Sequence, residues 1–318
     1  MRYHVQDFLK RKTNEMKISI AVLIAALIWQ FAASNRIRAA LPELPLCRSS
    51  GEWSPLERQW DKGLQEELDC SLNRNEFWRA LIEDKKMAVG VVDLSNPDAV
   101  RFARVNGDTM MYAASLPKIA ICLAAFQAFE DGGLSETPEV YRELTDMIRR
   151  SSNEAACRII DRIGLNRIQS VITAPRYKFY DLEKGGGIWV GARYGGGGER
   201  IPEPVKGLSQ AATVTQVCRF YYGLATGSMI TPERSRQMLE IFSTPGLHDK
   251  FVSVMEKTVP LNRLYRKSGE WSVWHSDSML VWDDWRRYIL VAMIENPRGE
   301  DVLKDLVPVV ERVLHPES

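Results

Sequence analysis

Apolar residues first appear as an almost unbroken run over residues 18–33, interrupted only by Ser19 and Gln30, behind Arg2, Lys10, Arg11, Lys12 and Lys17. A basic segment followed by an apolar one predicts an export signal or an N-terminal membrane anchor over residues 1–40, with Met16 as an alternative start. A leader over 41–84 follows, helical in character from 56 to 84. The pattern then changes period. Residues 87–94, with Val89, Val91 and Val92, read as a strand, and after the turn Asn96-Pro97-Asp98 residues 100–105 alternate like a returning one, which predicts an antiparallel hairpin. It delivers the chain to a helix over 116–130 that is apolar on every side and stops at Asp131-Gly132-Gly133. Amphipathic helices are expected over 139–149 and 151–161. Glycines and prolines make 176–212 a long irregular loop, of a length more often functional than ornamental. Thr213 with Gln216 and Thr231 with Pro232 start two more helices, ending near Thr226 and Ser243. Strands are expected again over 264–269, 272–282 and 287–294, before a closing helix over 302–313.

Composition narrows the class. The chain has 318 residues, 45% apolar and 26% charged, with a net charge of +1, so it is globular and carries no electrostatic footprint for nucleic acid. Five cysteines in an exported protein leave at least one unpaired. Cys47 and Cys70 flank the helical leader and are the expected bridge, whereas Cys122, Cys157 and Cys218 fall in apolar helices as small buried thiols. Only His248 and His275 lie within the folded body and there is no Cys-x-x-Cys, which argues against a zinc hydrolase; no metal or other cofactor is expected. The run Gly195-Gly196-Gly197-Gly198-Glu199-Arg200 lacks the Gly-Lys-[Ser/Thr] ending of a phosphate cradle.

Three short segments carry candidate chemistry. Ser115 and Lys118 lie three apart around Pro117, which is tolerated only in a first helical turn, so they share a face at the helix start. An N-cap serine and a solvated lysine would be the bland account. The apolar stretch after Lys118 instead predicts a buried amine, and a desolvated lysine beside a serine hydroxyl is a general base. Ser151 with Glu154 fits a capping box, which leaves Asn153 unexplained. Lys267-Ser268-Gly269 lies on a predicted strand where the glycine admits close approach of another backbone or a ligand. Trp271, Trp274, Trp282 and Trp285 crowd the same sheet; core and cross-strand packing is expected for most of them, with one or two lining a pocket.

Ser115-x-x-Lys118, Ser151-x-Asn153 and Lys267-Ser268-Gly269, in that order, resemble the motifs of the class A β-lactamase and penicillin-binding protein superfamily over about residues 85–295. The resemblance implies an α+β domain over 85–316: a five-stranded antiparallel sheet flanked by terminal helices, with an inserted all-helical subdomain. The two early and three late strands match that plan. It also implies Ser115 as nucleophile, Lys118 as proton acceptor and Ser151 as relay to the leaving nitrogen. Asn153 would contact the substrate amide, Lys267 and Ser268 the substrate carboxylate, and the N–H groups of Ser115 and of Glu270, after Gly269, would form the oxyanion hole. The middle motif departs from Ser-Asp-Asn, the helical insert is short, and no Glu-x-x-Leu-Asn segment supplies a deacylating carboxylate; Glu183 in Tyr180-Asp181-Leu182-Glu183 is the candidate substitute. The expected activity is an exported, periplasmic serine hydrolase acting on a small-molecule or peptidoglycan-derived substrate, soluble or tethered to the membrane. A D-alanyl-D-alanine carboxypeptidase or esterase on the same scaffold, or a non-catalytic cell-wall peptide binder, are the alternatives. An α/β-hydrolase is excluded, since Gly-x-Ser-x-Gly is missing and strands do not alternate with helices.

Overall fold

A computed structural model describes residues 43–46 and 53–315. The basic and apolar segment within residues 1–40 and Cys47 lie outside the described residues. Cys70 is exposed and carries a free thiol.

The leader helix is broken by its own capping residues. Asp61 accepts the Leu64 N–H and starts α1 (Lys62–Asn73); Asn75 accepts the N–H groups of Phe77 and Trp78 and starts α2 (Glu76–Glu83). The single helical stretch expected over 56–84 is therefore a 3₁₀ turn (Leu56–Gln59) and two helices, because a side-chain oxygen at each break satisfies donors that helix continuation would otherwise use. Strands β1 (Met87–Asp93) and β2 (Arg101–Val105) form the predicted hairpin, and the two-residue β3 (Met111–Tyr112) precedes the buried helix α3 (Lys118–Glu130). Helices α4 (Pro138–Arg149), α5 (Asn153–Ile163) and α6 (Leu165–Thr173) follow, the last without a prior sequence signal.

The expected irregular loop over 176–212 is in part ordered. Strands β4 (Tyr180–Asp181) and β5 (Gly186–Gly187) pair with each other, and β7 (Gln210–Ala212) pairs with both β6 (Trp189–Val190) and β3. Strands of two or three residues are too short to show alternation. Helices α7 (Val214–Ala225) and α8 (Pro232–Phe242) begin at Thr213 and Thr231 as expected, while the short α9 (Lys250–Met255) was not legible. The chain closes with β8 (Leu264–Trp271), β9 (Trp274–Trp282), β10 (Arg287–Glu295) and α10 (Gly299–Leu314).

The five long strands form one antiparallel sheet, as the family resemblance implies, and the sheet runs in the order β2-β1-β10-β9-β8. On one face Val89, Val91, Leu290 and Ala292 pack with Leu64 and Leu68 of α1 and Leu303 and Leu306 of α10. On the other face α7 runs so close that a side-chain carbon at Gly90 would sit 2.7 Å from Cys218 Sγ. Both faces are covered, so β1 is buried along its whole length and carries no alternation of polar residues. The tryptophan expectation holds in part: Trp282 is fully buried, Trp274 is half-buried edge-on to Tyr112 and opposite Trp271 in the strand pairing, and the exposed Trp271 lines a cleft, but core packing for most of the four is wrong, since Trp271 and Trp285 are both exposed. Strand β9 also starts two residues later than expected, since Ser272 has φ +54° and belongs to the hairpin turn.

Candidate active site

Strand β3, paired to β7, fixes the approach to Ser115, and the Ala113 N–H continues the pairing by donating to the Gln210 carbonyl. Ala114 then adopts φ +49°, a left-handed conformation that costs a non-glycine residue about 1 kcal/mol or more. The chain turns through Ser115, Leu116 and Pro117 before α3 begins at Lys118. Pro117 holds the cap position with no side-chain cap, so Ser115 is not an N-cap. Its hydroxyl makes no hydrogen bond within the described residues, and the residue lines a cleft of about 530 Å³.

Lys118 is fully buried, and its amine donates to the Ser151 carbonyl at 2.6 Å and to Asn153 Oδ1 at 2.8 Å, with Ser151 Oγ at 3.4 Å. The Tyr194 ring covers another side of the amine, its centroid 4.5 Å away. Burial pushes the Lys118 pKa down to about 7, opposed only by Cys157 and Glu154. A neutral amine has two N–H groups, and two close oxygens use them, which leaves the lone pair for a proton.

The turn after α4 brings the second motif to Lys118. Ser152, not Ser151, caps α5: its hydroxyl accepts the Ala155 N–H and donates to the Glu154 carboxylate. The capping-box account of Ser151 is thereby overturned. Ser151 has φ +58°, and this strained turn aims its hydroxyl away from the helix, to within 2.9 Å of the Lys267 amine that donates to it.

The third motif lies on β8, at the open edge of the sheet. Lys267 is buried, donates to Ser151 Oγ and to the Ser268 carbonyl, and is held well below its ordinary pKa, first by burial and then by the charges of Lys118, Arg266 and Lys250. Ser268 is also buried. A side-chain carbon at Gly269 would lie 2.3 Å from the Ala113 carbonyl and 2.7 Å from the Ser115 nitrogen, so only glycine lets β8 close against the serine turn. Ser276 Oγ ties the two segments, donating to the Ala113 carbonyl at 2.9 Å.

All three motifs thus converge, though Lys267 and Ser268 form the floor of the site and do not line the cleft. Tyr112, Ser115, Asn153, Tyr194, Glu270 and Trp271 line it together with Gly195–Gly198, so the glycine-rich run is one wall. Glu183 is elsewhere: it is exposed in a 3₁₀ turn (Leu182–Lys184) and borders a separate depression with Pro204 and Trp189. It is in the wrong place because Asp181 Oδ1 takes the Glu183 N–H and turns that segment to the surface. The carboxylates on the cleft are Glu199 and Glu270. Tyr194 and Glu199 follow and precede no recognisable motif, and only their position beside the glycine run hinted at them. Among the described residues no cluster of three or more acidic, histidine or cysteine side chains could hold a metal ion.

A family model described as the beta-lactamase enzyme family matches residues 74–143 and 140–308. The chain belongs to this family. Solved structures share its fold at low identity. A beta-lactamase from Sphaerobacter thermophilus DSM 20745 is 17% identical, covering 78% of this chain and 95% of that one, with a TM-score of 0.57. PBP-A is 17% identical over 81% of this chain and 96% of its own, also at 0.57. A variant of PBP-A described as an acyl-enzyme complex with penicillin G aligns at 0.58, with 17% identity, 81% of this chain and 97% of that one covered. No curated protein matches the chain. The family and fold make this protein a β-lactamase-like hydrolase.

Proposed function

We propose that the protein is a serine acyl hydrolase that forms an acyl-enzyme on Ser115. The observation that carries this reading is Lys118: a fully buried amine, pushed down to about 7, whose two close acceptors leave its lone pair free, three residues along the chain from Ser115, whose hydroxyl is unengaged and lines the cleft. Lys118 takes the Ser115 proton as Ser115 Oγ bonds to the substrate carbonyl carbon, and the oxyanion is held by the Ser115 and Glu270 N–H groups. The C–N bond then breaks. Ser151 gives its proton to the leaving nitrogen and is reprotonated from Lys118, with Lys267 bonded to the same hydroxyl. Asn153, on the cleft, binds the substrate amide, and the substrate carboxylate is directed towards Lys267 and Ser268 in the floor beneath it. Water completes the cycle by hydrolysing the ester.

No carboxylate lies within hydrogen-bonding distance of Lys118 among the described residues. This favours slow deacylation and a cell-wall peptidase or esterase as a second reading on the same machinery. The basic and apolar segment within residues 1–40 supports export to the periplasm, released or tethered. Turnover of a penicillin, a D-alanyl-D-alanine peptide and a thioester, each with Ser115→Ala as control, tests the proposal. At least one should be acylated or hydrolysed by the parent and none by the variant; equal activity in both would remove Ser115 from the reaction.

A further inference from the structure

Lys250, at the start of α9, is as buried as Lys118 and belongs to none of the three motifs. It adopts φ +49°, a strained conformation for a lysine. Its ammonium donates to the Gly269 carbonyl at 3.0 Å and pairs with Glu270 Oε2 at 3.1 Å, the carboxylate being half exposed at the cleft. His275, paired across β8 and β9 with Glu270, lies 3.7 Å from the same carboxylate oxygen. A methionine would fill this space without the desolvation cost of a cation, so packing alone does not account for lysine here.

We infer that Lys250 is a positioning residue that strengthens the oxyanion hole through the Gly269–Glu270 peptide. This rests on the oxyanion role given above to the Glu270 N–H. The Gly269 carbonyl and the Glu270 N–H belong to one planar amide, in which they point in opposite directions. A cation on the oxygen draws electron density out of that amide, makes the N–H a stronger donor and fixes the plane in which it points. The Ser276 hydroxyl, 3.3 Å from the same oxygen, has one proton and spends it on the closer Ala113 carbonyl, so Lys250 is the strong donor to Gly269. Ser276 nevertheless links that carbonyl to the turn that carries the other oxyanion donor, Ser115.

The test compares the full chain with its Lys250→Met and Lys250→Arg variants in two measurements. The first is acylation by a penicillin as a function of concentration. Because a whole oxyanion donor is worth about 10²- to 10³-fold, its polarisation should be worth about tenfold: Lys250→Met lowers the limiting acylation rate by that factor with little change in half-saturation, and Lys250→Arg restores most of it. The second is the amide resonance of Glu270 in isotope-labelled protein, whose proton should move upfield in Lys250→Met. A loss confined to half-saturation, or an unchanged rate, overturns the inference. If the parent neither forms an adduct with nor turns over a penicillin, a peptide or a thioester, the acyl-enzyme reading fails by itself, and the Glu270 resonance still decides: an unmoved signal shows that Lys250 does not act on this peptide.

Discussion

Arg266 and Lys267 are neighbours on β8, both buried, on opposite faces of the strand, and they meet opposite fates. Arg266 reaches Asp277 with two parallel bonds, Nε to Oδ1 at 2.7 Å and Nη2 to Oδ2 at 2.8 Å, and also pairs with Asp249. Asp277 further accepts the N–H groups of Phe251 and Ser278. Burial works against the Arg266 charge, but the two carboxylates outweigh it and hold its pKa above the ordinary value. Lys267 finds only a hydroxyl and a carbonyl, and Lys118 across the cleft floor finds only a carbonyl, an amide oxygen and a hydroxyl. Both lysines are depressed. A buried cation with its counter-charge is structure, whereas a buried cation left without one is poised to give up or take a proton.

The sharpest way to break this contrast is to remove one cation from each side. Lys118→Met should lower acylation by about 10³-fold or more while leaving stability unchanged or raising it by about 1–2 kcal/mol, since an uncompensated charge is replaced by a packed side chain. Arg266→Met should do the reverse: about 3–5 kcal/mol of stability lost, because Asp277 becomes a lone buried charge, with acylation per folded molecule changed only a few-fold. Thermal unfolding and burst kinetics on both variants decide, and stability losses of equal size would erase the distinction.

Next in size is Gly269→Ala. The added carbon would have to displace the Ala113 carbonyl and the Ser115 nitrogen, which are backbone and cannot swing aside, so acylation should fall by about 10²-fold. Retention of the full rate would mean that β8 and the serine turn are not held in register. Smaller again is Ser268→Ala, which should weaken turnover of carboxylated substrates by about tenfold and of neutral esters less. The same loss on both substrate types would mark Ser268 as structural.

The motifs were legible because each is local: Ser115 with Lys118, Ser151 with Asn153, and Lys267 with its next two residues need no knowledge of the fold. The five long strands and their flanking helices were legible for the same reason, through short β-branched and apolar runs bounded by turn residues and through helical periodicity. What was not legible depends on neighbours distant in sequence. Either Ser151 or Ser152 could cap α5, and the positive φ of Ser151 decides in favour of Ser152. Tyr194 acquires its place only when the glycine-rich wall folds over α3, and Lys250 only when α9 packs beneath the end of β8. Glu183 looked suitable by its position in the chain, yet an aspartate turn two residues earlier carries it to another surface.

The most direct test is an intact-mass time course of the protein with a penicillin at pH 5.5 and pH 7.5. With Lys118 at about 7, roughly 3% of the amine is neutral at the lower pH and roughly 75% at the higher, so the adduct should form about 25-fold faster at pH 7.5. It should map to the peptide carrying Ser115 and persist for minutes, because no carboxylate touches Lys118 to activate the deacylating water. Rapid hydrolysis without an adduct would point to a carboxylate on the cleft, with Glu199 the first to replace. An adduct forming at the same rate at both pH values, or neither adduct nor hydrolysis at either, would contradict the account.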